Sequence, residues 1–239
     1  MTSGSDDHSF DALRDAILRG VAHALSNRVA ALGGMAGLVD PGEIWTERMS
    51  KALQDEARRL GDVLRLFRLL PAEVRVESGA IELQPLIPDI VALHAYHSAL
   101  LQVECALEYN REAMPVYANR VQLVHALLLV IDAAKRHAKA SGGRVVIGYS
   151  GDAERVTVQV ATEPPVPSAA PGSFAAAAPN DGGAGVTGIV AGLRAAVARV
   201  GGNLPLDVFV DGDALRISLA VPTLAAGRRG EQAARAAER

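Results

Sequence analysis

Cysteine occurs once in 239 residues, as Cys105, which excludes an internal disulfide framework and any cysteine-built zinc or iron–sulfur centre. A reducing, cytoplasmic setting is expected. Aromatic residues are only 4% of the chain, so the core must be aliphatic. No uninterrupted apolar run approaches the roughly 18 residues a spanning helix needs, and the longest candidate, Val121 to Ala134, carries Gln122, His125 and Asp132. The opening MTSGSDDHSF is acidic and polar where a signal peptide is basic and then apolar. A soluble protein without membrane contact is therefore expected. Neither charge sign dominates: Lys+Arg 24 against Asp+Glu 27 gives a net charge of -3, without the basic stripe that displaces counterions from nucleic acid.

What is present is globular composition, with 49% hydrophobic and 21% charged residues, enough for one large domain or two small ones. Phe10, Leu13, Ile17, Val21, Leu25, Val29 and Leu32 recur at spacings of three and four, the stripe of a long amphipathic helix. Turn chemistry follows in Val39-Asp40-Pro41-Gly42-Glu43, and a second stripe runs Met49, Leu53, Ala57, Leu60, Leu64, Phe67, Leu70 to Pro71. Two such helices joined by a short turn predict an antiparallel hairpin over 10–72, after a disordered 1–9. A lone hairpin leaves long apolar stripes uncovered, so two copies are expected to form a homodimeric four-helix bundle.

Beyond Pro71 the pattern becomes mixed. Strands are predicted at Ala80–Leu83, Val103–Tyr109, Arg144–Tyr149, Arg155–Val160, Leu206–Val210 and Ala214–Val221, with helices at Pro85–Leu101, Arg120–Ala138 and Val186–Val200. Glu163 to Gly185, dense in Pro, Ala and Gly, reads as a loop, and 224–239 as a frayed helical tail. The fold class is α+β: the helical hairpin, then an α/β sandwich over 73–223 with helices on one face of a mixed sheet.

His23 stands two positions from both Val21 and Leu25, about 200° around the helix from a stripe residue, and should face water. A lone surface histidine is ordinarily a solvated one. The surrounding sequence, His23-Ala24-Leu25-Ser26-Asn27-Arg28-Val29-Ala30-Ala31-Leu32, however, resembles the phosphoacceptor box of two-component histidine kinases. That family places Thr or Asn four positions after its histidine, where Asn27 stands here. Its acidic residue is replaced by Ala24 and its proline by Arg28.

The resemblance extends over 80–222 to the GHKL-type ATP-binding domain in its order of elements. The nucleotide motifs are worn away. In the segment where the family is Asn-rich, this chain reads Leu128-Leu129-Val130-Ile131-Asp132-Ala133-Ala134-Lys135-Arg136-His137, and only Asp132 and Lys135 keep polar chemistry suited to magnesium or phosphate. Where the family has an adenine-reading Asp-x-Gly-x-Gly turn, this chain reads Ala161-Thr162-Glu163-Pro164-Pro165-Val166-Pro167, whose prolines cannot supply glycine conformations or backbone donors. A remnant of the phosphate loop is Gly182-Gly183-Ala184-Gly185-Val186-Thr187-Gly188, of which Gly183 and Gly185 are vestigial contacts.

The resemblance therefore implies a histidine phosphotransfer protein: His23 carries a phosphoryl group between receiver aspartates of response regulators or hybrid kinases, with Asn27 and Arg28 bordering it. No cofactor is held permanently, no metal is expected, and magnesium comes with the partner's receiver domain. The alternatives are a divergent active kinase, with Asp132 holding magnesium, and a non-catalytic pseudokinase scaffold that binds a regulator. His94 and His97, spaced to share one metal ion, read as surface histidines for want of a third ligand. His125 reads as a core or interface residue, and Cys105 as packing.

Overall fold

The computed structural model describes residues 9–37, 46–70, 77–108, 114–164, 183–201, 204–211 and 214–237. Helix α1 (Phe10–Gly37) follows the first stripe, but only Phe10, Leu13, Ile17 and Val21 of it are buried. Further along, Val29 is 59% exposed. Helix α2 (Glu47–Phe67) starts at Thr46, whose Oγ1 accepts the Met49 N–H at 3.3 Å and satisfies one open donor of the first turn. It packs against α1. The expected turn at Val39–Glu43 and the stop at Pro71 lie outside the described residues.

Strand β1 (Gly79–Ile81) leads into α3 (Leu83–His94) and a single 3-10 turn at Ser98–Leu100, so the helix expected over Pro85–Leu101 stops early. The chain bends there through His97 N–H to His94 O at 2.9 Å and Leu100 N–H to His97 O at 3.0 Å. Strands β2 (Cys105–Glu108) and β3 (Val116–Ala118) follow; β3, too short to show alternation, was not anticipated by the pattern and pairs with β1. Asn119 caps α4 (Arg120–Ser141) by accepting from Val121 and Gln122 N–H, and Gly142 ends it at φ 72°, a conformation that favours glycine.

Strands β4 (Arg144–Gly151) and β5 (Arg155–Glu163), helix α5 (Gly183–Gly201), strands β6 (Leu206–Asp211) and β7 (Ala214–Pro222), and helix α6 (Leu224–Ala237) complete the order. Five strands form one mixed sheet in the order β2-β4-β5-β7-β6, parallel only between β2 and β4. In β5 the side chains of Val156, Val158, Val160 and Thr162 point inward while Gln159 faces solvent, the two-residue period of a half-covered sheet. Helix α4 covers the inner face, with α5 and α3 beside it.

Three expectations change. The stripe of α1 is partly spent inside the chain: Phe10, Leu13, Ile17 and Val21 belong to the same buried cluster as Leu127, Val160 and Ile217, so 10–72 and 73–223 share a core. The segment read as a loop ends at Gly183, where α5 begins, and 165–182 are outside the described residues. The tail is a docked helix. Thr223 accepts the Ala226 N–H and donates to Ala153 O at 2.8 Å, Tyr117 Oη donates to Glu231 at 2.5 Å, and Arg229 pairs with Glu154 at 2.7 Å.

Candidate functional site

His23 lies two residues beyond Val21, where α1 leaves the core, and is exposed as expected. Its position is set by Gly20. A methyl group there would overlap the carbonyl oxygen of Tyr96, so glycine lets α1 lie directly on the corner between α3 and the 3-10 turn. The Asn27 amide donates to His23 Nε2 at 3.1 Å, one turn further on. An amide nitrogen only donates, so Nε2 is the acceptor in this pairing.

Arg28 is turned elsewhere. Its guanidinium donates to both carboxylate oxygens of Glu56 on α2, at 3.1 and 3.3 Å, and Arg59 adds a third contact at 3.3 Å to a carboxylate that is 5% exposed. Arg28 thus joins the two helices instead of standing beside His23 as a free cation.

A cleft of about 550 Å³ opens between α1 and the corner where α3, the 3-10 turn and α4 meet, and His23 lines it together with Arg19, His97 and Arg136. Behind it is a buried polar cluster. His94, fully enclosed, bonds Asp132 Oδ1 through Nε2 at 3.3 Å, and Arg136 Nε donates to Asp132 Oδ2 at 2.6 Å. The His94 and His97 rings stack at 5.7 Å.

Burial pushes the Asp132 carboxyl up, but the hydrogen bonds from His94 and Arg136 and the guanidinium charge prevail and hold it below its ordinary value. Burial also lowers both histidines despite the nearby carboxylate. His94 is accordingly a neutral ring donating through Nε2, its Nδ1 without a partner. The expectation that His94 and His97 are surface residues fails because Asp132 draws this face of α3 onto α4. Among the described residues no group of three or more side chains is placed to hold a metal ion.

The residues given to nucleotide chemistry are otherwise engaged. Both oxygens of Asp132 are taken by protein donors. Lys135, 3% exposed, has its ammonium pushed below its ordinary value by burial. Thr162 lies in β5 with Oγ1 accepting the Leu215 N–H at 2.8 Å, and Glu163 pairs with Arg144 at 2.8 Å. Gly183 and Gly185 are in the first turn of α5, while Gly182 and Pro165–Pro167 fall outside the described residues. Burial raises the Cys105 thiol to about 11, which leaves it protonated and unreactive at neutral pH. His125 is 4% exposed, its ring 3.9 Å from that of Phe10.

Arg19, His97 and Arg136 were not singled out around His23 by sequence reasoning. Arg19 had a signal, since four residues before His23 is the same helical face. The other two reach the cleft from separate elements, which no local pattern shows.

The architecture is that of an α+β domain with a helix pair seated on it. No family model matches the chain, and no curated protein matches it. Among solved structures it is similar to the histidine kinase AdeS of Acinetobacter baumannii, 18% identical over 87% of this chain and 97% of that one, with a TM-score of 0.42. It is likewise similar to the histidine kinase ThkA solved in complex with the response regulator protein TrrA, 18% identical over 85% of this chain and 60% of that one, TM-score 0.42. A bacterial phosphotransferase is 14% identical over 92% of this chain and 98% of that one, TM-score 0.39.

Proposed function

We propose that the chain is a histidine phosphotransfer protein of a two-component relay that works without ATP. His23 Nε2 attacks the phosphorus of an aspartyl phosphate on a receiver domain, the P–O bond to the aspartate breaks, and the carboxylate leaves with its electron pair. The reverse step hands the group to a second receiver. Asn27 must first release Nε2, at little cost for an exposed hydrogen bond. Magnesium is supplied at the receiver, and a homodimer forms through the exposed apolar residues of α1 and α2, Val29, Leu64 and Phe67 among them. The observation that carries the reading is the contrast between two residues: His23 is exposed with Asn27 beside it, whereas Asp132 is buried with each oxygen engaged, by His94 and by Arg136.

The rival is an ATP-dependent kinase, and the names of the solved neighbours fit it at least as well. It requires Asp132 to exchange Arg136 for magnesium and another residue to read adenine. Titration with Mg-ATP to millimolar concentration is expected to give no saturable heat, and label on a phosphorylated receiver is expected to pass through the protein and to stop in His23→Ala. Saturable binding with label arriving on His23 from ATP would establish the kinase instead. Receiver binding undiminished in His23→Ala, with no label on any residue, would establish a scaffold.

A further inference from the structure

We propose that the cleft between α1 and the α3–α4 corner is an oxyanion site whose ligand is the phosphoryl group carried by His23, held by the guanidinium groups of Arg19 and Arg136. The proposal rests on His23 as phosphoacceptor and adds where the group goes once attached.

Small side chains make the room: Ala12, Ala16 and Gly20 line the α1 side of the cleft on the face that carries His23. Among the described residues no acidic side chain lines it. Arg19 is exposed and has no hydrogen bond or ion pair among the described residues. Arg136 engages Asp132 through Nε alone, which leaves its terminal nitrogens for another oxyanion in the forked geometry guanidinium offers to phosphate.

A second feature points to the same ligand. His97 lines the cleft, is 6% exposed, and has an Nδ1 with no hydrogen-bond partner among the described residues. Burial holds its ring neutral against the nearby Asp132 carboxylate, and both guanidinium charges act in the same direction as burial. An arriving dianion cancels that repulsion, favours the imidazolium, and turns both ring nitrogens into donors. Asp132, the carboxylate behind the cleft, is already paired with Arg136 and hydrogen-bonded to the neutral His94 ring.

The test uses the full chain and two small probes. Orthophosphate is titrated while the His23 and His97 imidazole resonances are followed. Phosphoramidate is then supplied as donor: the Nε2 lone pair forms the N–P bond as the P–N bond of the reagent breaks and ammonia leaves.

In the wild type, saturable shifts and a downfield move of His97 are expected. Arg19→Gln should weaken phosphate binding and slow labelling of His23 each by about tenfold or more, as for loss of a charge-assisted contact, with Arg19→Lys recovering most of both. Equal phosphate binding and equal labelling in the wild type and Arg19→Gln would overturn the site. Arg19-dependent phosphate binding with no label on His23 from phosphoramidate or a receiver would uphold the oxyanion site and overturn both the ligand assignment and the phosphotransfer reading.

Discussion

The Asn27 amide donates to His23 Nε2 at 3.1 Å, so a residue chosen in the sequence only by its offset does reach the histidine. Arg28, chosen on the same grounds, is used by Glu56. Side-chain reach explains the difference. An asparagine can only touch its own helix one turn away, whereas an arginine can cross to the neighbouring helix and takes the carboxylate buried there. His125 shows what an apolar setting does to a base. Burial, with the Arg14 charge, lowers its ring to about 4, and its Nε2 has no partner.

In the unfolded chain the same ring titrates near 6.5. Above that pH both states are neutral and the residue adds no pH dependence. Between 6.5 and about 4 the unfolded state binds the extra proton, so stability falls as pH falls, by about 3 kcal/mol across the window. Thermal unfolding from pH 7.5 to 4.5 should show this loss, and His125→Leu should flatten it in part; the remainder belongs to His94 and His97, whose lowered rings act in the same direction.

At the scale of elements, the long periodic segments were legible because a 3.6-residue stripe marks a buried helical face whatever it is buried against. Helices α1 and α4 follow from Ile17 and Leu127 and their neighbours at three and four, whereas in α2 the stripe through Leu64 and Phe67 stays exposed and the buried residues are Glu56, Val63 and Leu66. What covers each stripe was not legible. The first half of α1 lies on the body and the second half does not, and only Gly20 hints at where contact is closest. The end of α3, strand β3 and the docking of α6 depend on partners distant in sequence: Lys139 on the Ala99 carbonyl, β1 on β3, Tyr117 on Glu231.

Gly20→Ala separates two effects. In an isolated helix alanine is better than glycine by about 1 kcal/mol. Here the methyl group meets the Tyr96 backbone, which cannot yield as a side-chain end can. The variant is expected to lose about 1–3 kcal/mol, read as a lowered unfolding midpoint in urea. A gain in stability would show that α1 does not rest on this corner.

Across the whole molecule, Val29, Leu64 and Phe67 remain 59%, 44% and 44% exposed along the helix pair, while no described helix is long and apolar enough to cross a membrane. The proposed dimer covers this surface. Light scattering should give twice the chain mass of 24.9 kDa, and Leu64→Asp with Phe67→Asp should return the single-chain value with the fold intact by circular dichroism. A wild-type monomer at all concentrations would remove the four-helix bundle from the proposal.

The shared core has a kinetic consequence. Pulling Phe10, Leu13, Ile17 and Val21 off the body would expose four apolar side chains, a cost on the order of 6–12 kcal/mol, so the helix that bears His23 has no stroke. A protein that must swing its histidine toward a fixed donor has a speed limit of its own, visible as a rate that saturates. In the proposed relay the histidine stays still, so the transfer rate should show no ceiling set by helix movement and should level off only where receiver docking itself saturates.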